Sequence, residues 1–441
     1  MNLLDTNIKR LFIHYLIPAS ASTLFIAFYV IGDTMMIGHG VGGQGLIALN
    51  ILLPLYSLYY GLGYLYGVGG SVLMSIRNGN GKHHQANMIF STTLILAGIT
   101  SVLLSVIGCI FFEDICYMLG ANHSSIELCK EYGYILMICA PVFIFSPTLQ
   151  CLVKNDHNPR LAMIAATLGS LLNIILDYLF IFIFNWGMAG AMIATAFSSL
   201  ISIILCSVHF FTKVNTMNFT IKGIKIKDII KIYQNGFNSF LLEMSQGVVT
   251  FVFNMQILYY LSDQHIIIYS VIANTLMAAV CLLNGVANAS QPIVSYNIGA
   301  SRFDRVKEVH KMSNRLVVII SICVYLFVYF CTTLCISLFV DISSIDLDYG
   351  IRVIRIYFLC IFVQGINMYN TSFLQSISKP IPSIIISLLR GFIICIILLF
   401  FLPSLFGGEA IWWVMPITEL ITVIFTIYYI YQFYHQKEDK L

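Results

Sequence analysis

Residues 88–112 read Met88-Ile-Phe-Ser-Thr-Thr-Leu-Ile-Leu-Ala-Gly-Ile-Thr-Ser-Val-Leu-Leu-Ser-Val-Ile-Gly-Cys-Ile-Phe-Phe112, without one charged side chain. A helix crossing the hydrocarbon layer of a membrane needs about 20 such residues. A transmembrane β-strand would alternate polar and apolar positions instead, and this run does not. The stretch therefore predicts a spanning helix, and the rest of the chain repeats it.

The composition agrees. Of 441 residues, 59% are hydrophobic and 10% are charged. An ordinary soluble domain carries roughly 25% charged residues, so this chain could not cover a water-facing surface. Disorder requires the opposite balance. A formal charge of +3 gives no support to nucleic-acid binding. The apolar run at 11–37 is too long for a signal-peptide core and reads as a retained first span. None of the 12 cysteines shows paired zinc spacing, so no structural metal is expected.

Twelve spans are marked at 11–37, 46–71, 88–112, 132–153, 161–184, 187–211, 236–260, 266–291, 315–340, 351–376, 382–403 and 409–433. The segment 213–235 carries Lys213, Lys222, Lys225, Lys227 and Lys231, and it reads as a cytoplasmic basic linker. It separates a first six-helix bundle, 1–212, from a second, 236–441. With the amino terminus placed inside, nineteen of the 23 Lys and Arg fall in inner loops and termini, Lys440 among them. Only Lys130, Arg352 and Arg355 fall outside. By the positive-inside rule both termini are cytoplasmic.

The halves read as copies. A shift of 220 residues lays Ser75-Ile-Arg-Asn-Gly79 on Ser295-Tyr-Asn-Ile-Gly299, and Lys82 on Arg302. Six spans per half keep both copies in one orientation, a parallel repeat about an axis along the membrane normal. Transporters are built this way, with sites at or near the repeat interface. The expected fold class is all-α integral membrane: twelve transmembrane helices as two six-helix bundles in pseudo-twofold parallel repeat.

Ionisable groups inside spans are expensive and so need a reason. Five occur: Asp33, Asp177, Glu243, Arg390 and Glu419. Asp33 lies roughly 8 Å below the outer end of span 1, and Asp177 roughly 12 Å below that of span 5, at 1.5 Å per residue. Thr195 enters span 6 to about the same depth. Asn173 shares a helix face with Asp177, and Tyr29 with Asp33, each four residues before its acid. Two carboxylates, an amide and a hydroxyl at one depth suit a hard cation such as Na+, or a proton shared between the carboxylates. Burial raises a carboxyl pKa, and a second carboxyl raises one of a pair further. The bland alternative is that the two acids cap neighbouring helices or sit in outer-leaflet water.

Glu243, with Gln246 three residues on, reads as a second cation site, a contact for a cationic substrate, or a water-exposed position. Arg390 and Glu419 lie near the midplane of adjacent helices and read as a structural ion pair, since neither could stay charged alone there. Span 2 holds Gly61, Gly63, Gly67, Gly69 and Gly70 with Tyr56, Tyr59, Tyr60, Tyr64 and Tyr66. Close packing through small residues explains the glycines. Aromatic walls for organic cations are the sharper reading, with Tyr29, Tyr60 and Tyr64 as cavity candidates. Pro18, Pro54, Pro141, Pro147 and Pro416 fall within spans, where each can kink its helix. The chain has no HExxH, no GxSxG, no GxGxxG and no Walker GxxxxGK[ST], so neither an ATP-driven pump nor a membrane enzyme finds a motif.

Several segments together resemble the MATE (multidrug and toxic compound extrusion) family, of the bacterial type. They are Ile17-Pro18, Ile31-Gly-Asp33-Thr-Met-Met-Ile-Gly38, Gly67-Val-Gly-Gly-Ser71 and Lys154-Asn-Asp-His-Asn-Pro-Arg-Leu-Ala-Met163. Asn173-Ile-Ile-Leu-Asp177, Gly187-Met-Ala-Gly-Ala-Met-Ile-Ala-Thr195, Glu243-Met-Ser and Gln375-Ser-Ile-Ser-Lys-Pro380 continue the match. The resemblance implies a V-shaped pair of bundles that exports amphiphilic, often cationic, compounds against entry of H+ or Na+. It implies ion coupling at Asp33, Asn173, Asp177 and Thr195, a cation-binding acid at Glu243, a monomer, and no cofactor beyond the coupling ion. The expected location is the bacterial cell (inner) membrane, and the expected partners are small organic molecules and the lipid bilayer. The runner-up is a flippase for a lipid-linked oligosaccharide in the same superfamily. Its pyrophosphate anions would want several intramembrane Lys or Arg, where the spans offer Arg390 against four acids.

Overall fold

The computed structural model describes residues 3–121, 125–220, 225–339 and 346–438. Lys222, Lys440 and Val340 lie outside them, as does the side chain of Gln246. The described residues form helices and no strands.

The helices are α1 (Ile8–Gly40), α2 (Gly43–Gly79), α3 (His83–Ile110), α4 (Ile126–Ile138 and Ala140–Asn155), α5 (Pro159–Ile183) and α6 (Gly187–Phe211). The second half supplies α7 (Ile226–Tyr260), α8 (Asp263–Gly299), α9 (Phe303–Phe330), α10 (Leu347–Ser376), α11 (Pro380–Phe406) and α12 (Gly408–His435). Ten of the described helices are long and apolar enough to cross a membrane, and the bent pair that makes α4 is an eleventh. The 33-residue α1, packed along α5 and α8, completes the two sets of six. α4 bends by 53° where Pro141 begins its second segment. A proline is tolerated at the start of a helix because the N–H it lacks would have no partner there. Pro18, Pro54 and Pro147 sit inside continuous helices.

Several boundaries differ from the sequence reading, most of all the ninth span, which is expected at 315–340 and runs Phe303–Phe330, its charged first turns lying outside the hydrocarbon. α2 and α8 run on to Gly79 and Gly299, because polar residues continue a helix once it leaves the hydrocarbon. The basic linker ends early, since α7 begins at Ile226 and the chain from there is helical. What remains of the linker lies along the first half. Asn218 N–H donates to Asn87 Oδ1 at 3.0 Å, and Thr220 N–H to Ser91 Oγ at 2.7 Å.

The two halves exchange the ends of their first helices. Leu11, Phe12, Tyr15 and Ala19 of α1 pack in a core with Leu283, Val286 and Ile293 of α8, while Ile37 belongs to the first-half core. Reciprocally, Ile232 of α7 sits in the first-half core, whereas Phe253 and Ile257 pack in the second half. The boundary at 212 therefore divides the sequence but not the packing.

The seam follows the repeat. A Cβ at Gly79 would meet the carbonyl of Tyr296, and one at Gly299 would meet the carbonyl of Ile76. These positions are related by the same shift of 220, so the matched pentapeptides touch each other about the pseudo-axis. Gly236 of α7 abuts the carbonyl of Leu65 equally closely, which only a residue without Cβ permits. The hydrogen bonds joining the halves also lie toward the end bearing the amino terminus and the basic loops. Tyr66 meets Tyr233 at 3.0 Å, and Arg305 donates to the carbonyls of Leu3 (3.1 Å) and Thr6 (2.7 Å). The apolar flank Ile99, Val102, Val106 and Ile110 of α3 is exposed, as a lipid-facing surface is.

Candidate functional site

α5 brings Asn173 and Asp177 to one face, both fully buried. Asp177 is the last residue before a π-helical turn, Tyr178–Ile183. Such turns interrupt the regular ladder and recur at functional sites. α1 crosses here: an added Cβ at Gly32 would sit 3.6 Å from Ile174. Its Asp33 carboxyl faces that of Asp177 at interaction range.

Asn173 Nδ2 donates to Thr195 Oγ1 of α6 at 3.2 Å, and that hydroxyl donates to Ala191 O at 3.1 Å. The remaining oxygens are acceptors without a donor. Asp33 Oδ1, Asn173 Oδ1 and both carboxyl oxygens of Asp177 are buried and receive no N–H or hydroxyl donor among the described residues, the two carboxyls having only each other. Buried polar atoms are almost always paired, so four such oxygens in one place are a local excess of negative potential. Tyr132 of α4 lies within electrostatic reach of both carboxyls, and nothing in its neutral side chain singled it out in the sequence.

A tyrosine belt leads from this cluster to the middle of the molecule. Tyr29 and Tyr56 share a hydrogen bond of 2.7 Å, the Tyr56 and Tyr60 rings stack at 4.6 Å, and Tyr60 meets Ser199 at 3.2 Å. Tyr60 and Tyr64 also lie within electrostatic reach of Glu243 on α7. Glu243 packs on α2 beside Gly61, where an added Cβ would stand 3.5 Å from its own. It is half buried and has no charged partner among the described residues. The polar inter-half contacts named above all fall on its basic side.

Arg390 and Glu419 do not join the first cluster. They pair with each other in the second half, Arg390 Nε to Glu419 Oε1 at 2.5 Å. Asn367 donates to Glu419 Oε2 at 2.7 Å and accepts from Thr426 at 2.8 Å. Both carboxyl oxygens are thereby partnered. A further buried acid, Asp156 at the end of α4, was hidden in a loop-like segment. It receives the Thr216 N–H at 2.8 Å, the Thr216 hydroxyl, and His209 Nε2 at 2.8 Å. Asn158 Nδ2 faces His209 Nδ1 at 3.1 Å, which sets Nε2–H as the donor to Asp156. No group of three or more His, Cys, Asp or Glu among the described residues could hold a metal ion.

The MatE family model matches residues 18–179 and 239–401, one stretch in each half. The chain is similar to the multidrug export protein MepA of Staphylococcus saprophyticus, 24% identical over 423 residues that cover 95% of this chain and 92% of that protein. The MepA protein of Staphylococcus aureus strain MSSA476 is 25% identical over 421 residues, 95% of this chain and 92% of its own. Among solved structures, an outward-facing MATE family transporter of the MOP superfamily superposes with a TM-score of 0.92 at 19% identity, covering 99% of this chain and 98% of that one. A MOP superfamily transporter from Pyrococcus furiosus, described as having a binding pocket of reverse polarity, gives 0.89 at 19% identity, covering 97% and 96%.

Proposed function

Starting from the fact that this chain belongs to the MatE family of multidrug export transporters, we propose that it is a secondary antiporter. It exports amphiphilic, often cationic, organic compounds in exchange for H+ or Na+. The observation that carries this reading is the set of four donorless oxygens at Asp33, Asn173 and Asp177. A proton or a hard cation is what such oxygens lack, and carboxylate and carbonyl oxygens are the ligands hard cations prefer.

Charge arithmetic supplies the coupling. Two buried carboxylates facing each other repel, and neutralising one lets α1 and α5 close on one another. The lower end of α1 is part of the second-half core, so a change at Asp33 is felt at the seam between the halves. Glu243, beside Tyr60 and Tyr64, holds the cationic end of the compound against ring faces. The halves then alternate between a seam closed at the basic end, as here, and one closed at the other end. On this reading the chain acts as a monomer in the bacterial cell membrane with both termini cytoplasmic. It needs no cofactor beyond the coupling ion and performs no chemistry on its cargo.

Ethidium efflux from energised cells expressing the chain tests the proposal. Loss only on adding a protonophore assigns H+, and loss on replacing Na+ assigns Na+. No efflux under any condition, with the protein present in the membrane, overturns it.

A further inference from the structure

Lys154, near the end of α4, stands between the halves on the basic side of Glu243. Its ammonium donates to Asn288 Oδ1 of α8 at 3.0 Å, so this bond joins the halves. No carboxylate pairs with it among the described residues. An ammonium has three hydrogens to give, and a half-buried one held by a neutral amide alone is under-satisfied. Lys154 also borders a cavity whose wall includes Tyr15, Thr23, Tyr64, Gln150 and Asn288. Tyr64 has this cavity on one side and Glu243 within electrostatic reach on the other. A basic and an acidic side chain, each without a charged partner among the described residues, therefore flank one tyrosine.

We propose that Lys154 and this cavity form an anion subsite, which takes the carboxylate of an amphiphilic solute whose cationic end lies at Glu243. When the halves part at the basic end, Lys154 and Asn288 must separate, since they belong to different halves. The freed ammonium is then met by the carboxylate, which takes the place of the amide oxygen. A bond between two opposite charges then replaces one between a charge and a neutral amide. The inference rests on the export reading above and adds a second recognition element to it.

The test uses the purified full chain and two dyes that differ in one group. Rhodamine 110 carries a free carboxylic acid, and rhodamine 123 is its methyl ester. Binding is read by fluorescence polarisation. The wild type should bind both. Lys154→Gln should weaken rhodamine 110 about tenfold or more while changing rhodamine 123 less than threefold, and Lys154→Arg should restore the acid. Asn288→Asp, which supplies an internal carboxylate, should produce the same selective loss and is a second route should Lys154→Gln fail to fold. Equal weakening of both dyes, or unchanged rhodamine 110 binding in either variant, overturns the subsite. Wild-type binding of rhodamine 123 without rhodamine 110 overturns the subsite and leaves the export reading standing. Binding of neither dye removes both.

Discussion

The side-chain amide of Asn173 gives its hydrogen to the hydroxyl of Thr195 at 3.2 Å and leaves its own carbonyl oxygen buried with nothing to accept from. The pair orients an acceptor, and Asp177 one turn later adds two more. If these oxygens hold the coupling ion, Asp177→Asn should lower ion-driven efflux about tenfold or more. The protein should remain folded, because an amide can donate to the oxygens that now lack donors. Dye efflux and thermal unfolding of Asp33→Asn and Asp177→Asn check this. Wild-type efflux in both folded variants would count against the coupling role.

Glu243 serves a different step. Glu243→Gln should weaken binding of a permanently cationic dye about tenfold while leaving the response of tryptophan fluorescence to the coupling ion unchanged. Cation–ring contacts from Tyr60 and Tyr64 remain, so binding should fall and not vanish. Equilibrium dye titration of the purified variant decides it.

Gly236 lies against the backbone of Leu65, which cannot swing away as a side chain can. Gly236→Ala should cost about 1–3 kcal/mol, as overpacking typically does. Gly247→Ala on the same helix, with nothing within 4 Å of the added carbon, is the matched control and should be neutral or slightly stabilising. Unfolding midpoints of the two variants make the comparison.

The Arg390–Glu419 pair should behave as structure. Breaking it from either side, by Arg390→Leu or Glu419→Gln, should destabilise by about 3–5 kcal/mol, since an uncompensated buried charge or donor remains. The double variant Arg390→Leu with Glu419→Gln should recover part of that loss and still export dye. Failure of the double variant to transport, although folded, would assign the pair a part in the cycle.

Asp156 ties the linker to the first half through Thr216 and His209. Asp156→Asn keeps the size but loses acceptor capacity that three donors now use. It should cost about 1–3 kcal/mol, seen as a lower unfolding midpoint, with efflux retained in the folded fraction.

The sequence exposes what is expensive. Asp33 and Asp177 stand out of apolar runs, and counting residues from the span ends puts them level with Thr195. Arg390 and Glu419 stand out for the same reason. Neutral partners carry no such signal. Tyr132, Ser199, Asn367 and Thr426 look like dozens of other residues until helix rotation and the 53° bend of α4 aim them. The matched pentapeptides at 75–79 and 295–299 disclosed the repeat, but not that they touch. The double allegiance of α1 was also illegible, because lipid and protein offer equally apolar neighbours, and exposed Ile13, Ile17 and Phe28 look in the sequence like buried Leu11 and Phe12.

That double allegiance bears on how the chain is made. Leu11, Phe12 and Tyr15 leave the ribosome well ahead of their neighbours Leu283, Val286 and Ile293, which come some 270 residues later. At translation rates of about 5–20 residues per second, the start of α1 waits on the order of ten seconds to a minute for the surface that covers it. The first bundle cannot mature on its own during synthesis, and the nascent chain is committed to finishing both halves before either is complete.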